Sequence, residues 1–336
     1  KDIEEYLHQG DLLLAKSPGE KALLMWHKRE RRSFWFTFGT RLYWWELNMD
    51  AYDREVGRDG DVLSDEDRDR ALSNAGVVSC IATAIPRPLY FQANKVTDES
   101  WYYFRIETAD GIHKAPFTPK QLTGASEFKN RLLAIKNAWY TGSGKQLDQL
   151  MQDMMYNLKT VETTDFIGYS KEHKAWIFND VAIRESRAKK INSEDYFEFG
   201  KLSVKSLASE PRIEPNLNMR EYDRSWPQHV VGAFGTAGTI TTAFFLGSLF
   251  AEQIRQLTKS YPFFELVGQA GAGKSTLIEF LWKCLGREDY EGFDPQKATV
   301  AARARMFSQV SNLPVVLIES DREATDSAKA KQFDWD

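Results

Sequence analysis

The sequence predicts an α+β N-terminal region followed by an α/β domain with a parallel sheet, the latter C-terminally incomplete within these 336 residues. Three observations lead there. A short apolar run, Phe263–Val267, passes through a glycine-rich loop into an apolar-faced helix. A second apolar run, Pro314–Ile318, ends in acid. Upstream of both, short alternating runs and turn residues mix with helical stretches, and no internal repeat is visible.

Taken in order, residues 1–30 read as helical with a break at Ser17-Pro18-Gly19, and the helix reads as already under way at the first residue. Ser33–Phe38 and Arg41–Leu47 flank Gly39-Thr40 as a β-hairpin. Asp50–Arg70 is a charged connection ending in a helix start at Ser64-Asp65-Glu66-Asp67. These elements form a first region, residues 1–75. An α+β domain over 76–211 follows. Its strands are Leu89–Ala93, Trp101–Thr108 and Ile112–Phe117, the last two joined by Ala109-Asp110-Gly111. Ser126 caps a helix over Glu127–Tyr140, and Ser143 caps another over Lys145–Lys159. Further strands are expected at Asp165–Tyr169, Ala175–Phe178 and, as a pair, within Tyr196–Val204. Residues 212–262 are a linker, Arg212–Gln228, and an uncharged helical segment. The last domain is 263–336.

Composition narrows the function classes. Charged residues are 27%, hydrophobic residues 42% and the net charge is −4, ordinary values for a soluble globular chain and not those of a basic nucleic-acid glove. Cys80 and Cys284 are too few for a disulfide framework, and the five histidines lack metal-ligand spacing. A cytoplasmic location follows, with no signal peptide at the start. Val230–Phe250 carries no charge over 21 residues, long enough to span a bilayer. Its four glycines and four threonines make it only moderately apolar, so a buried helix or two short ones is expected, and no membrane.

The chemistry lies in Gly268-Gln269-Ala270-Gly271-Ala272-Gly273-Lys274-Ser275, a full match to G-x-x-x-x-G-K-[ST]. Glycines let successive N–H groups turn inward on an anion, and the following helix directs its positive end at the same point. Lys274 bridges the β- and γ-phosphates of ATP, Ser275 places its hydroxyl on Mg²⁺, and Thr276 supports the loop. Gly142-Ser143-Gly144-Lys145 also holds Gly-Lys, but Gln146 replaces the hydroxyl residue; it reads as a helix cap.

Glu319 ends the acidic strand 45 residues after Lys274. It is assigned to Mg²⁺ and the attacking water, with Asp321 as a second acid. One strand (Tyr290–Phe293) and one helix (Gln296–Ser311) fit between. Strand, loop, helix, strand, helix, acidic strand is the order of a P-loop NTPase domain of ASCE/AAA+-like type.

Phe263–Glu323 resembles the superfamily 3 helicase-type ATPases of primase–helicases from phages, plasmids and integrated elements. Phe264–Leu277, Leu285-Gly286 and Asn312–Glu319 carry the likeness. The resemblance implies a hexameric ring of identical subunits with ATP between them, single-stranded DNA in the pore, a primase domain in the same protein and residence in a bacterial host's cytoplasm. It also implies an arginine finger and a sensor, which are expected beyond Asp336; Arg303 and Arg322 read as surface charges.

The function expected is therefore an ATP-hydrolysing DNA helicase or translocase. A nucleotide-switched regulatory or defence ATPase acting on protein partners is the alternative, and a P-loop kinase is disfavoured because nothing resembles a lid or acceptor site. The basic and aromatic run Lys28–Trp45 allows one further reading, a surface that stacks single-stranded bases. The plainer reading, rings packed in a core, is preferred.

Overall fold

The computed structural model describes residues 2–56, 64–288, 290, 292–295 and 297–318. It divides into two compact units, residues 1–93 with 97–160, and residues 94–96 with 161 onward.

The first unit opens with helices α1 (Asp2–Leu14) and α2 (Pro18–Arg29). Ser17 caps α2 by accepting the Glu20 N–H at 3.1 Å, Pro18 sits where no donor is needed, and Glu30 ends the helix in the left-handed conformation. Strands β1 (Ser33–Phe38) and β2 (Arg41–Leu47) form the expected hairpin, pairing Phe34 with Trp45 and Trp35 with Trp44. After α3 (Met49–Val56) and α4 (Asp65–Ala75), β3 (Gly76–Ala82) adds to β2. Ser64 caps α4 as anticipated.

Strand alternation sends the hairpin's rings to two sides. Phe34, Phe36 and Trp45 pack with Trp26 and Leu72, while Leu42 and Trp44 join Phe104, Phe117 and Phe128. Both faces of the sheet are covered, and the Trp35 indole N–H donates to Asp153 at 2.8 Å. Phe34, Phe36, Trp44 and Trp45 are thus core, as the plainer reading has it, while Trp35, Phe38 and Tyr43 are half-buried.

Strands β4 (Ile85–Asn94), β5 (Glu99–Thr108) and β6 (Gly111–Phe117) follow in that lateral order. Short α5 (Pro119–Leu122) leads to α6 (Ala125–Leu133) and α7 (Gly144–Met154). Both α6 and α7 stop short of expectation. Ile135, Ala138 and Tyr140 are drawn into the core beyond α6, with Asn137 at φ 62°, and Asn157 at φ 57° turns the chain after α7. Ser126 is not the cap of α6; Gly124 holds that position without a side-chain bond. Ser143 and Gln146 form a reciprocal capping box on α7, so the second Gly-Lys pair is a helix cap as read.

The second unit carries β7 (Lys159–Thr164), β8 (Ile167–Ser170), β9 (Ala175–Ile177), β10 (Val181–Arg184), β11 (Arg187–Lys190), β12 (Phe197–Phe199) and β13 (Leu202–Ser206). Helices α8 (Trp226–Ser248), α9 (Ala251–Thr258), α10 (Lys274–Cys284) and α11 (Val300–Ser308) precede β14 (Val310–Ser311). One sheet runs β11-β10-β9-β8-β14, with β14 parallel to β8; β12, β13 and β7 lie side by side, β13 parallel to β7. Mixed sheets with packed helices are compatible with an α/β nucleotide-binding architecture.

Helix α8 is long and apolar enough to cross a membrane by length and composition, at a mean hydropathy of 1.5, yet only 28% of that window is buried. It is two helices joined at Gly235, whose φ of 59° and ψ of −149° are not helical. The expectation of two short helices holds; full burial does not, since Val231 and Ile240 are more than half exposed.

Candidate functional site

The site begins with helix α10. Leu277, Leu281 and Trp282 are buried on one face, in a cluster with Ile167, Ile213, Phe245 and Leu313. Trp282 meets Phe245 edge-on at 5.3 Å. That packing fixes the helix axis and therefore where its first turn points.

The loop ahead of α10 has the backbone its glycines permit. Gly271 lies at φ 78° and Gly273 at φ 80°, in the left-handed region that disfavours a side chain. The Ala272 N–H donates to Gln269 O at 3.2 Å, closing the turn. Gly273 is the N-cap of α10 and has no side chain to cap it, and the first turn holds no acid. The N–H groups there and the helix dipole favour an anion. The Lys274 ammonium folds back over the loop, donating to Gly268 O at 2.5 Å and Gln269 O at 2.9 Å. Ser275 and Thr276 are exposed on the same turn. Residues Gly268–Thr276 thus come together as one solvent-facing cradle.

No known family profile matches this chain, and no curated protein matches it. Among solved structures it is similar to a chain described as "SCCmec type IV Cch - active helicase", at a TM-score of 0.41 and 14% identity over 68% of this chain and 43% of that one. This chain spans less than half the length of that helicase chain. A likeness at that TM-score carries no weight here, and the site is read from its own geometry.

The segment ahead of the loop departs from expectation. Phe263–Val267 is extended but joins no strand among the described residues, leaving Phe263 95% and Val267 79% exposed. A strand exists through its ladder, and none of the described residues supplies one here. Aromatic contacts hold this segment instead: Phe264 stacks on Phe244 at 4.8 Å, and the Tyr261 hydroxyl donates to Phe244 O at 2.7 Å. At the loop's other end the Phe234 ring lies 3.0 Å from where a Cβ on Gly273 would stand. Helix α8 therefore touches both sides of the cradle.

Of the other elements, Phe293 and Leu317 form a parallel bridge, with Phe293 N–H donating to Val316 O at 2.9 Å and Ile318 N–H to Phe293 O at 2.8 Å. The run expected as the intervening strand, Tyr290–Phe293, and the run expected to end in acid, Pro314–Ile318, thus meet in parallel through one isolated bridge instead of as full strands. Helix α11 lies within the span expected for a helix and carries Arg303. Glu319, Asp321 and Arg322 lie outside the described residues.

Sequence reasoning missed how the supposed linker is used. Ile213 is fully buried, and the Glu214 N–H donates to Gly286 O at 2.9 Å. Gly286, at φ 85°, ends α10 where a Cβ would lie 2.2 Å from Glu214 O. The Leu285-Gly286 signal marked the helix end but could not reveal its partner. Beyond it, the Arg287 guanidinium sits 3.3 Å from the centre of the Tyr290 ring and 5.0 Å from that of Trp282, and its burial lowers its pKa.

A second polar constellation was also missed because its members are far apart in sequence. His173 Nε2 lies 2.9 Å from Glu162 Oε2, His173 Nδ1 lies 2.6 Å from Ser170 Oγ, and Lys95 Nζ lies 2.7 Å from Glu162 Oε1. Burial opposes ionisation of Glu162, but the hydrogen bonds from Lys95 and His173 outweigh it and hold that carboxyl below its ordinary range. Serine, imidazole and carboxylate in sequence resemble a nucleophilic triad. Ser170 is only 2% exposed, however, so no substrate reaches it; the trio ties the β8–β9 turn to β7.

Proposed function

We propose that this chain binds ATP with Mg²⁺ at Gly268–Thr276 and belongs to an ATP-hydrolysing helicase or translocase acting on single-stranded DNA. The observation that carries the reading is the loop backbone: two left-handed glycines, the second the N-cap of α10, run into a first turn free of acids. The residues fit the group the motif implies. No acid stands in the first turn of α10, and the loop ahead of Lys274 is built of glycine, alanine and one glutamine.

Bound ATP–Mg²⁺ supplies the phosphoryl group and the divalent charge for hydrolysis. The chain's own residues hold it. Backbone N–H groups of the loop and of the first turn of α10 bind phosphate oxygens. Lys274 exchanges two loop carbonyls for the phosphate charge, so its ammonium is preplaced beside the anion. Ser275 offers its hydroxyl to the metal from the exposed side of the helix, and Glu319 with Asp321 is assigned the remaining metal and water contacts on sequence grounds. Assembly as a homo-oligomeric ring, a primase domain in the same polypeptide and action in a bacterial cytoplasm complete the proposal.

The test is ATPase activity with and without single-stranded DNA, alongside triphosphate binding by Lys274→Ala. The expected result is DNA-stimulated hydrolysis and loss of tight binding in the variant. Activity that no DNA stimulates would sink the translocase reading in favour of the regulatory ATPase, while unchanged affinity in Lys274→Ala would remove the site itself.

A further inference from the structure

The hairpin β10–β11 is a positively charged edge of the second unit. Arg184-Glu185-Ser186-Arg187-Ala188-Lys189-Lys190 holds four cations and one carboxylate. Glu185 and Ser186 lie at φ 51° and 60°, a tight two-residue turn whose twist suits a hairpin. Strand β11 is the edge of its sheet, and all four of its residues are exposed. The register pairs Arg184 with Arg187 and Ala182 with Lys189, so Arg184, Arg187 and Lys189 share a face. Glu185 lies 3.5 Å from Arg184. Arg187, Lys189 and Lys190 have no carboxylate within salt-bridge reach among the described residues. Lys189 instead lies 5.6 Å over the half-buried ring of Phe199, beside the exposed Lys201.

Lysines on an edge strand block edge-to-edge pairing, and that explains one or two of them. It does not explain an arginine and a lysine aligned on one face with an aromatic ring beside them. That is the combination by which single-stranded nucleic acid is held, with cations tracking the backbone and rings offered to bases. Side chains two apart on a strand are about 7 Å apart, comparable to the repeat of an extended phosphate chain. The sheet also has a route to the nucleotide site: Ile183, on the opposite face of β10, packs in the same apolar cluster as Leu277 and Leu281 of α10.

We propose that the β10–β11 hairpin is a docking surface for the phosphate backbone of single-stranded DNA, contacted through Arg187 and Lys189 on one face of β11 and through Lys190 on the other face of the same exposed edge strand. This rests on the translocase reading and adds the surface that reading lacked. Binding of a labelled thymidine oligonucleotide to the whole chain, read by anisotropy over a salt series, tests it. Arg187→Glu/Lys189→Glu/Lys190→Glu is expected to bind at least about tenfold more weakly, with the slope of log K against log salt smaller by about 2, three contacts at roughly 0.7 each. Arg187→Gln/Lys189→Gln/Lys190→Gln, which reverses no charge, should show an intermediate loss. Both variants should bind a fluorescent ATP analogue as the parent does, which separates a lost surface from a lost fold. Parent-like oligonucleotide binding by both variants overturns this surface and leaves the translocase reading standing. Parent protein that binds nucleotide but no oligonucleotide at low salt overturns both. Tighter capture of a duplex, an acidic peptide or anionic vesicles at equal charge overturns the single-strand assignment.

Discussion

Replacing each left-handed glycine of the loop by alanine is the sharpest probe of the proposed nucleotide site. Gly271 and Gly273 have nearly the same φ, 78° and 80°, but different surroundings. A Cβ on Gly271 meets nothing within 4 Å; one on Gly273 meets the Phe234 ring at 3.0 Å. Holding an alanine in the left-handed region costs about 1–2 kcal/mol. The loop is exposed and sits outside the apolar cores, so it can relax toward ordinary φ, and the penalty then falls on binding. Gly271→Ala should therefore weaken ATP binding about five- to thirtyfold, at 1.4 kcal/mol per factor of ten, with the melting temperature nearly unchanged. Gly273→Ala adds the contact with Phe234 and should lose more. Adding Phe234→Ala should restore only that excess, a coupling that a double-mutant cycle isolates. Titration calorimetry with a non-hydrolysable ATP analogue measures the parent, Gly271→Ala, Gly273→Ala, Phe234→Ala and the Gly273→Ala/Phe234→Ala double variant. Parent-like affinity in both single variants would refute the argument, since the loop backbone would then not be the anion cradle.

Other consequences concern packing and pH. Leu281→Ala empties a site that is 1% exposed and should cost about 2–5 kcal/mol by denaturant unfolding. Phe36→Ala, in the hairpin core at 2% exposure, should cost about 3–5 kcal/mol while leaving oligonucleotide affinity intact in the folded fraction. Because the folded-state pKa of Glu162 is depressed, its stabilising contribution is full above the ordinary carboxylate range and is lost as pH falls through the folded value. Thermal melts of Glu162→Gln below about pH 4.5 should accordingly be less acid-sensitive than those of the parent. Ser143→Ala removes half of the capping box on α7 and should destabilise by about 1 kcal/mol.

What the sequence revealed follows from how local each signal is. The hairpin at Gly39-Thr40, the turn at Asp110-Gly111, the caps at Ser64 and Ser143, and the loop into α10 each depend on a few adjacent residues and were legible; at Ser17 the break was legible and the cap was not. The lengths of α6 and α7 were not, because Tyr140 leaves the helical path to bridge Ala82 and Lys159 pairs into a strand. Those choices are made by partners far away in sequence. Strands β3, β10 and β11 were missed for a related reason: β11, Arg-Ala-Lys-Lys, has no apolar alternation and is a strand only because β10 pairs with it. The cradle could be read from the motif alone, whereas its contacts with Phe234 and Phe244 could not, since nothing in Gly268–Thr276 names a neighbour.

Those contacts change the meaning of the uncharged stretch over 230–250. By composition it invites a membrane reading, and its glycines invite a buried-helix reading; neither accounts for where its rings are placed. The break at Gly235 comes directly after Phe234 and ends the first half of α8 with that ring against Gly273. The second half carries Phe244 to the segment before the loop and Phe245 to Trp282 within α10. The kink is what allows one helix to brace the entry, the exit and the following helix together. The small residues then have a physical purpose beyond close approach. Gly235 supplies the backbone angle, and Thr239, Thr241 and Thr242 return their hydroxyls to carbonyls four residues earlier, which keeps an uncharged helix internally satisfied. On this argument α8 is the scaffold of the proposed nucleotide site, and a substitution at its break, such as Gly235→Ala, should loosen the loop without touching any residue of the motif.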